Sequence, residues 1–268
     1  MEKLDGVANT LYVPLYGRIY VSKKFPEYFY DEKALKIGEK FTSGISKGSF
    51  EYTNMAYAAR YYNMDKMIIK FIEEHKICNI VLLGIGLETT YDRITQKCGL
   101  GKVKYYGIDL PEVIEIRKKY FGERKQETLI ARDMFKMEWK EQIDTSIPTL
   151  LIVSGVFQYF FEDKIIKFIK NLKKEFPYGE LIFDTTTKNG LKFTNWYIRR
   201  TGNLEALMHF YIEDSVDFSK KTDTTLVEEL TFFKDARELL RKKLNFITKL
   251  FMKIADSKRQ ALIIHLKW

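Results

Sequence analysis

From residue 79 onward the chain alternates short, continuous apolar runs with longer segments whose apolar residues recur every three or four positions. Continuous runs bounded by turn residues read as buried strands, and the 3.6-residue recurrence reads as helix. Strands are expected at Ile80–Leu83, Val103–Ile108, Glu127–Ala131, Thr149–Ser154, Glu180–Asp184, Leu226–Phe232 and Ala261–Leu266. Helices are expected over Glu88–Cys98, from Pro111 through Tyr120, and over Asp163–Phe176. One long helix from Asp235 to about Ala255 should carry the apolar Leu239, Leu240, Ile247, Leu250, Phe251 and Ile254. Apolar strands separated by helices imply a mostly parallel sheet covered on both faces.

The pattern before residue 77 is different. Apolar positions recur irregularly around Pro14 and Gly17, and the stretch reads as short helices packing over something else. A further helix is expected over Glu32–Lys40, a loop over Phe41–Ser49, and a helix from Tyr52 to about Tyr62. Asp65 reads as the N-cap of the next helix, whose stripe is Met67, Ile68, Phe71 and Ile72. Residues 1–76 thus form a helical cap and residues 77–268 an α/β core, in one domain. After Thr187 the alternation is interrupted, and about 189–221 reads as an insertion over the carboxyl ends of the strands.

Composition narrows the class without naming an activity. The chain has 268 residues, 46% of them hydrophobic, which suits one large core. No apolar run approaches a membrane span, and the first residues carry no signal-peptide core. Two cysteines form neither a disulfide framework nor a metal quartet, so no metal is expected, and a cytoplasmic protein with reduced thiols is the plain reading. The net charge is +9, but no cationic run exceeds three residues and no nucleic-acid module motif is present. Neither nucleic acid nor a membrane is therefore expected as a partner.

Chemistry concentrates where strands end. The first strand runs into Gly84-Ile-Gly86, where a Cβ-free turn lets backbone approach a ligand. The second ends in Asp109, a carboxylate placed for ribose hydroxyls, with a helix-dipole or capping role ahead of Pro111 as the alternative. A dinucleotide fingerprint asks for a third glycine at position 89, and the residue is Thr89. The third strand leads to Asp133 and Met134, suited to an adenine or to a loop cap, and the fourth leads to Ser154-Gly155 at the floor of the same crevice.

Five spans then carry a resemblance: Leu11-Tyr-Val-Pro-Leu-Tyr-Gly-Arg18, Ala58-Ala-Arg60, Gly84-Ile-Gly-Leu-Glu-Thr89, Asp109-Leu-Pro-Glu-Val113 and Ser154-Gly-Val-Phe-Gln-Tyr-Phe160. Together they resemble the leucine carboxyl methyltransferase superfamily, and within it the bacterial branch related to polyketide O-methyltransferases. The resemblance implies a class I, Rossmann-like seven-stranded fold with S-adenosylmethionine as methyl donor. Carried over by position, Arg60 would pair with the donor carboxylate, and Gly84 and Gly86 would lie against the donor. Asp109 would hold the ribose, with Leu110 counted in the same set, and Asp133 with Met134 would frame the adenine. Ser154 stands where the family usually has Glu, and Glu88-Thr-Thr90 replaces the usual Asp-Thr-Arg, with Arg93 one turn later.

The expected activity is O-methylation of a small carboxylate or hydroxyl acceptor, and a non-catalytic donor-binding protein of the same fold is the alternative. A carboxylate needs no base, whereas a hydroxyl benefits from one. His209, in the insertion, is the histidine candidate, and Tyr16 and Arg18 are candidates to line the acceptor site.

Overall fold

The computed structural model describes residues 11–38, 50–99, 101–201 and 204–268, so the expected loop Phe41–Ser49 lies outside the described residues. Seven strands build one sheet: Ile77–Leu83 (β1), Lys102–Asp109 (β2), Glu127–Ala131 (β3), Thr149–Val153 (β4), Gly179–Thr185 (β5), Thr225–Thr231 (β6) and Leu262–Lys267 (β7). Their order is β3-β2-β1-β4-β5-β7-β6, with β7 antiparallel to both its neighbours and the other pairings parallel. This is the expected α/β architecture.

Period-two alternation sends neighbouring strand residues to opposite faces. Ile80 and Leu82 enter the apolar cluster on one side, Val81 and Leu83 the cluster on the other. The long helix Glu51–His75 (α3) covers the first face with Met55, Ala58, Ile68 and Phe71. Glu162–Glu175 (α6) covers the second with Ile165, Phe168, Ile169 and Leu172, which recur at helical spacing. Acidic residues in its first turn and lysines in its last complement the helix dipole.

The register decides where the chemistry falls. Leu83 lies opposite both Ile108 and Val153, and Val153 lies opposite Phe183. The residues that follow, Asp109, Gly84, Ser154 and Asp184, therefore stand in one row along the carboxyl edge of the sheet.

The cap differs from expectation in one respect. Tyr12–Lys24 (α1) and Glu32–Gly38 (α2) precede a single continuous α3, where two helices with a cap at Asp65 were expected. Asp65 is buried mid-helix, and Arg93 donates to both its carboxylate oxygens at 2.9 Å. An ion pair made across the fold holds it there, not a helix start.

Between β1 and β2 lies Thr90–Cys98 (α4), and between β2 and β3 Pro111–Phe121 (α5). The insertion is helical, with Lys188–Thr201 (α7) and Ser215–Thr222 (α8). It is pinned over the strand ends: the His209 amide donates to Gln158 O and the Ile212 amide to Thr186 O. The expected single C-terminal helix is two, Lys234–Leu239 (α9) and Phe246–Ser257 (α10). Asn245 breaks it, because its side chain caps α10 by accepting from the Ile247 amide.

Candidate functional site

The turn Gly84–Thr89 is gripped from three sides. Asp109 Oδ2 accepts from the Gly86 amide at 2.8 Å, while Oδ1 accepts from the Leu110 amide at 2.8 Å. Arg117, fully buried on α5, donates to the carbonyls of Gly86 and Glu88 and to the Glu127 carboxylate. Arg18, on α1, donates to Leu87 O and Asp31. Gly84 has φ +71, and a Cβ there would come within 2.5 Å of Val156, so only glycine makes this turn.

Charges beneath the turn form one network. Arg93 donates to Glu88, Thr89 and Asp65, and Arg18 and Thr89 share Asp31. Burial alone would raise Glu88, but the guanidinium groups of Arg93 and Arg18 hold it down to about 2. Buried ions persist only when paired in this way. The helical cap is therefore part of the site's foundation, since it supplies Arg18, Asp31 and Asp65.

Across the row, Asp184 organises the second wall. Its Oδ1 accepts from the Gly155 amide at 2.6 Å, and its Oδ2 accepts from Gln158 at 2.6 Å and from Arg60 Nη1 at 3.1 Å. Gly155 has φ +72, and a Cβ would meet Arg60 Nη1 at 2.7 Å, so the arginine lies directly against the backbone after β4. Burial works against the Arg60 charge, but Asp184 and then Tyr61 raise its pKa overall. Arg60 Nε, Ser154 Oγ and Glu88 Oε2 are buried and have no hydrogen-bond partner among the described residues. Ser154 and Glu88 line one cavity of about 20 Å³ with Tyr61, Leu82–Ile85 and Ile152. That is roughly the room one water needs.

The remaining candidates fall as follows. Asp133 Oδ1 caps the 3₁₀ turn Met134–Lys136 by accepting from the Phe135 amide. Met134 is buried, and its carbonyl accepts from the Trp139 indole. Leu110 is exposed at the rim. Burial raises the Asp109 pKa despite its two amide donors. Arg18 is committed to the turn and so does not line an open acceptor site. Tyr16 packs against the apolar cluster that contains Leu15, Leu87 and Ile116, and burial raises its pKa. His209 is exposed, with its ring 4.5 Å from that of Phe161. Sequence reasoning missed Asp184 and gave Glu88 no role of its own. Asp184 carries the same signal as Asp109, an acid closing an apolar strand.

A cleft of about 480 Å³ lies along α7, lined by Leu191, Lys192, Asn195, Trp196, Arg199 and Arg200. Arg200 sits 4.0 Å over the Trp196 ring, and Asn195 is fixed by paired bonds to the Met208 backbone. Three cations and an indole suit an anionic, aromatic molecule.

Comparison with known proteins places the family and the fold. The family model for leucine carboxyl methyltransferases matches residues 18–173. The tetracenomycin polyketide synthesis O-methyltransferase TcmP of Streptomyces glaucescens is 22% identical over 205 residues, 75% of this chain and 74% of that protein. Among solved structures, a DUF574 family protein from Streptomyces avermitilis MA-4680 superposes with a TM-score of 0.60 at 12% identity, covering 94% of this chain and 96% of that one. A candidate methyltransferase from Thermobifida fusca YX gives 0.59 at 14% identity, covering 94% and 93%.

Proposed function

The chain belongs to the leucine carboxyl methyltransferase family, and from that premise we propose that it transfers a methyl group from S-adenosylmethionine to an oxygen of a small anionic aromatic acceptor. One observation carries this reading. The sheet register lines up Asp109, Gly84, Ser154 and Asp184 beside three buried, unpartnered polar atoms.

The residues present fit the donor group by group. Each Asp109 oxygen takes one backbone amide and keeps a lone pair for a ribose hydroxyl. Arg60 keeps Nε for a carboxylate while Asp184 steadies Nη1. Glu88 Oε2 and Ser154 Oγ offer acceptors to an ammonium, so the charge usual at position 154 is supplied from the glycine turn. Asp133 and Met134 follow β3, where an adenine would lie beyond Asp109 and Leu110. The small cavity implies that side chains such as Val156 shift to admit the donor.

When bound, S-adenosylmethionine supplies an electrophilic methyl on a sulfonium, so the chain's work is alignment and exclusion of water. The α7 cleft would hold the acceptor anion on Lys192, Arg199 and Arg200 and its ring on Trp196. A carboxylate oxygen attacks without a base, and a phenol held among cations is already biased toward its anion. The oxygen specificity named for the Streptomyces glaucescens relative supports the same acceptor atom.

The test is transfer of isotope-labelled methyl from S-adenosylmethionine to a panel of aromatic acids and phenols, followed by base treatment. Methyl esters release methanol in base and phenol ethers do not. Labelled product is expected from the anionic aromatics, and an unlabelled panel with the donor bound contradicts the reading.

A further inference from the structure

The last helix carries its largest apolar residues on the side away from the core. Phe246 is 74% and Ile247 59% exposed, and Leu250, Phe251 and Ile254 are exposed as well. Thr248, Met252 and Ala255 are the buried residues of the same helix. At 100° per residue, Ile247, Leu250 and Ile254 fall on one side and the buried three on the other. A surface helix normally shows solvent its polar face, and α10 does the reverse. Phe50 lies beside its start, where Glu51 accepts from the Asn245 amide, and is 72% exposed.

The border of this apolar row is cationic. Arg241, Lys242, Lys253 and Lys258 are exposed, and none pairs with a carboxylate among the described residues. Three acids near it are already taken, Asp256 by Arg237, Glu51 by Lys24 and Glu27 by Lys243, which leaves the exposed Glu238 against the four cations.

We propose that α10 docks this protein on an anionic lipid surface, lying in the plane of the headgroups with Phe246, Ile247, Leu250 and Ile254 inserted and the lysines on the phosphates. A large apolar side with lysines along its edge is what such an interfacial helix requires. Charge complementarity selects this occupant over a second copy of the chain. A two-fold contact would set the row against itself and bring Lys253 of one copy toward the same cationic border on the other. The attachment is peripheral, because no helix among the described residues is long and apolar enough to cross a membrane. The sequence, with no membrane span and no long cationic run, points to no membrane partner, because periodicity does not reveal which way a stripe faces. The proposal is independent of the methyl-transfer reading.

Co-sedimentation with vesicles tests it, using phosphatidylcholine alone and phosphatidylcholine doped with phosphatidylglycerol at low salt. The wild-type chain is expected to bind the anionic vesicles at least about tenfold more than the neutral ones, and less as salt rises. A variant combining Ile247→Gln, Leu250→Gln and Ile254→Gln should lose binding to both, and one combining Lys242→Glu with Lys253→Glu should lose only the anionic preference. All five positions are exposed, so melting temperatures should stay near wild type. No binding to anionic vesicles at low salt, or binding that survives the apolar variant, overturns the proposal. A wild-type dimer that the apolar variant splits also overturns it and makes the face a self-interface.

Discussion

Asp109 Oδ2 accepts a hydrogen bond from the Gly86 amide at 2.8 Å, so the carboxylate closing the second strand also holds the glycine turn closing the first. Ribose recognition and loop geometry then share one side chain. Asp109→Ala should cost about 1–3 kcal/mol, because it leaves two amides without their acceptor. Asp109→Asn can still accept through its carbonyl oxygen and should cost less. Urea unfolding of both variants checks the order, and equal stability of Asp109→Ala and wild type would show that water replaces the carboxylate.

The Arg60–Asp184 pair predicts a larger effect. Both side chains are buried, and Asp184→Asn leaves a guanidinium without its counter-charge. Removing one partner of such a pair costs about 3–5 kcal/mol. For a chain of this length that corresponds to a fall in melting temperature of roughly 10 °C. Thermal melts decide it, and a fall of under about 2 °C would mean that solvent reaches the pair.

Much of this arrangement was legible in the sequence. Strands such as Thr149–Val153 announce themselves as continuous apolar runs with polar bounds, and the glycines and Asp109 mark their ends. Long-range pairing was not legible. Asp65 looked like a cap because a short acidic side chain favours helix starts, and nothing local reveals Arg93 28 positions on. Asp184 has no local signature of its role beyond closing an apolar strand, because its value comes from register, which puts Phe183 level with Val153. Asn245 was submerged in an apolar periodicity that runs on either side of it.

Glu88 makes stability depend on acid. Its folded pKa lies at about 2, below the ordinary glutamate value, so its stabilisation is fully present above about pH 4.5 and is lost as pH falls toward 2. Glu88→Gln should therefore be less stable than wild type at neutral pH, by on the order of 3 kcal/mol. The gap should close between about pH 4.5 and pH 2. Unfolding curves across that range test it, and a gap independent of pH would assign the loss to packing.

Ser154 has a buried hydroxyl without a partner among the described residues. Ser154→Ala should leave stability unchanged or slightly raised, since no hydrogen bond within the chain is lost. Donor affinity should fall several-fold if the hydroxyl meets the donor's ammonium. Melting and donor titration of the same variant separate the two effects, and lower stability with intact affinity would make Ser154 a structural residue.

The central claim is that the crevice between Gly84, Asp109 and Ser154 binds S-adenosylmethionine. Calorimetric titration of the wild-type chain and of Asp109→Asn with S-adenosylmethionine measures it directly. One saturable site per chain is expected for the wild type, with affinity at least about tenfold weaker in the variant, the loss of a charge-assisted bond. No binding to the wild-type chain, or equal affinity in both, would contradict the account.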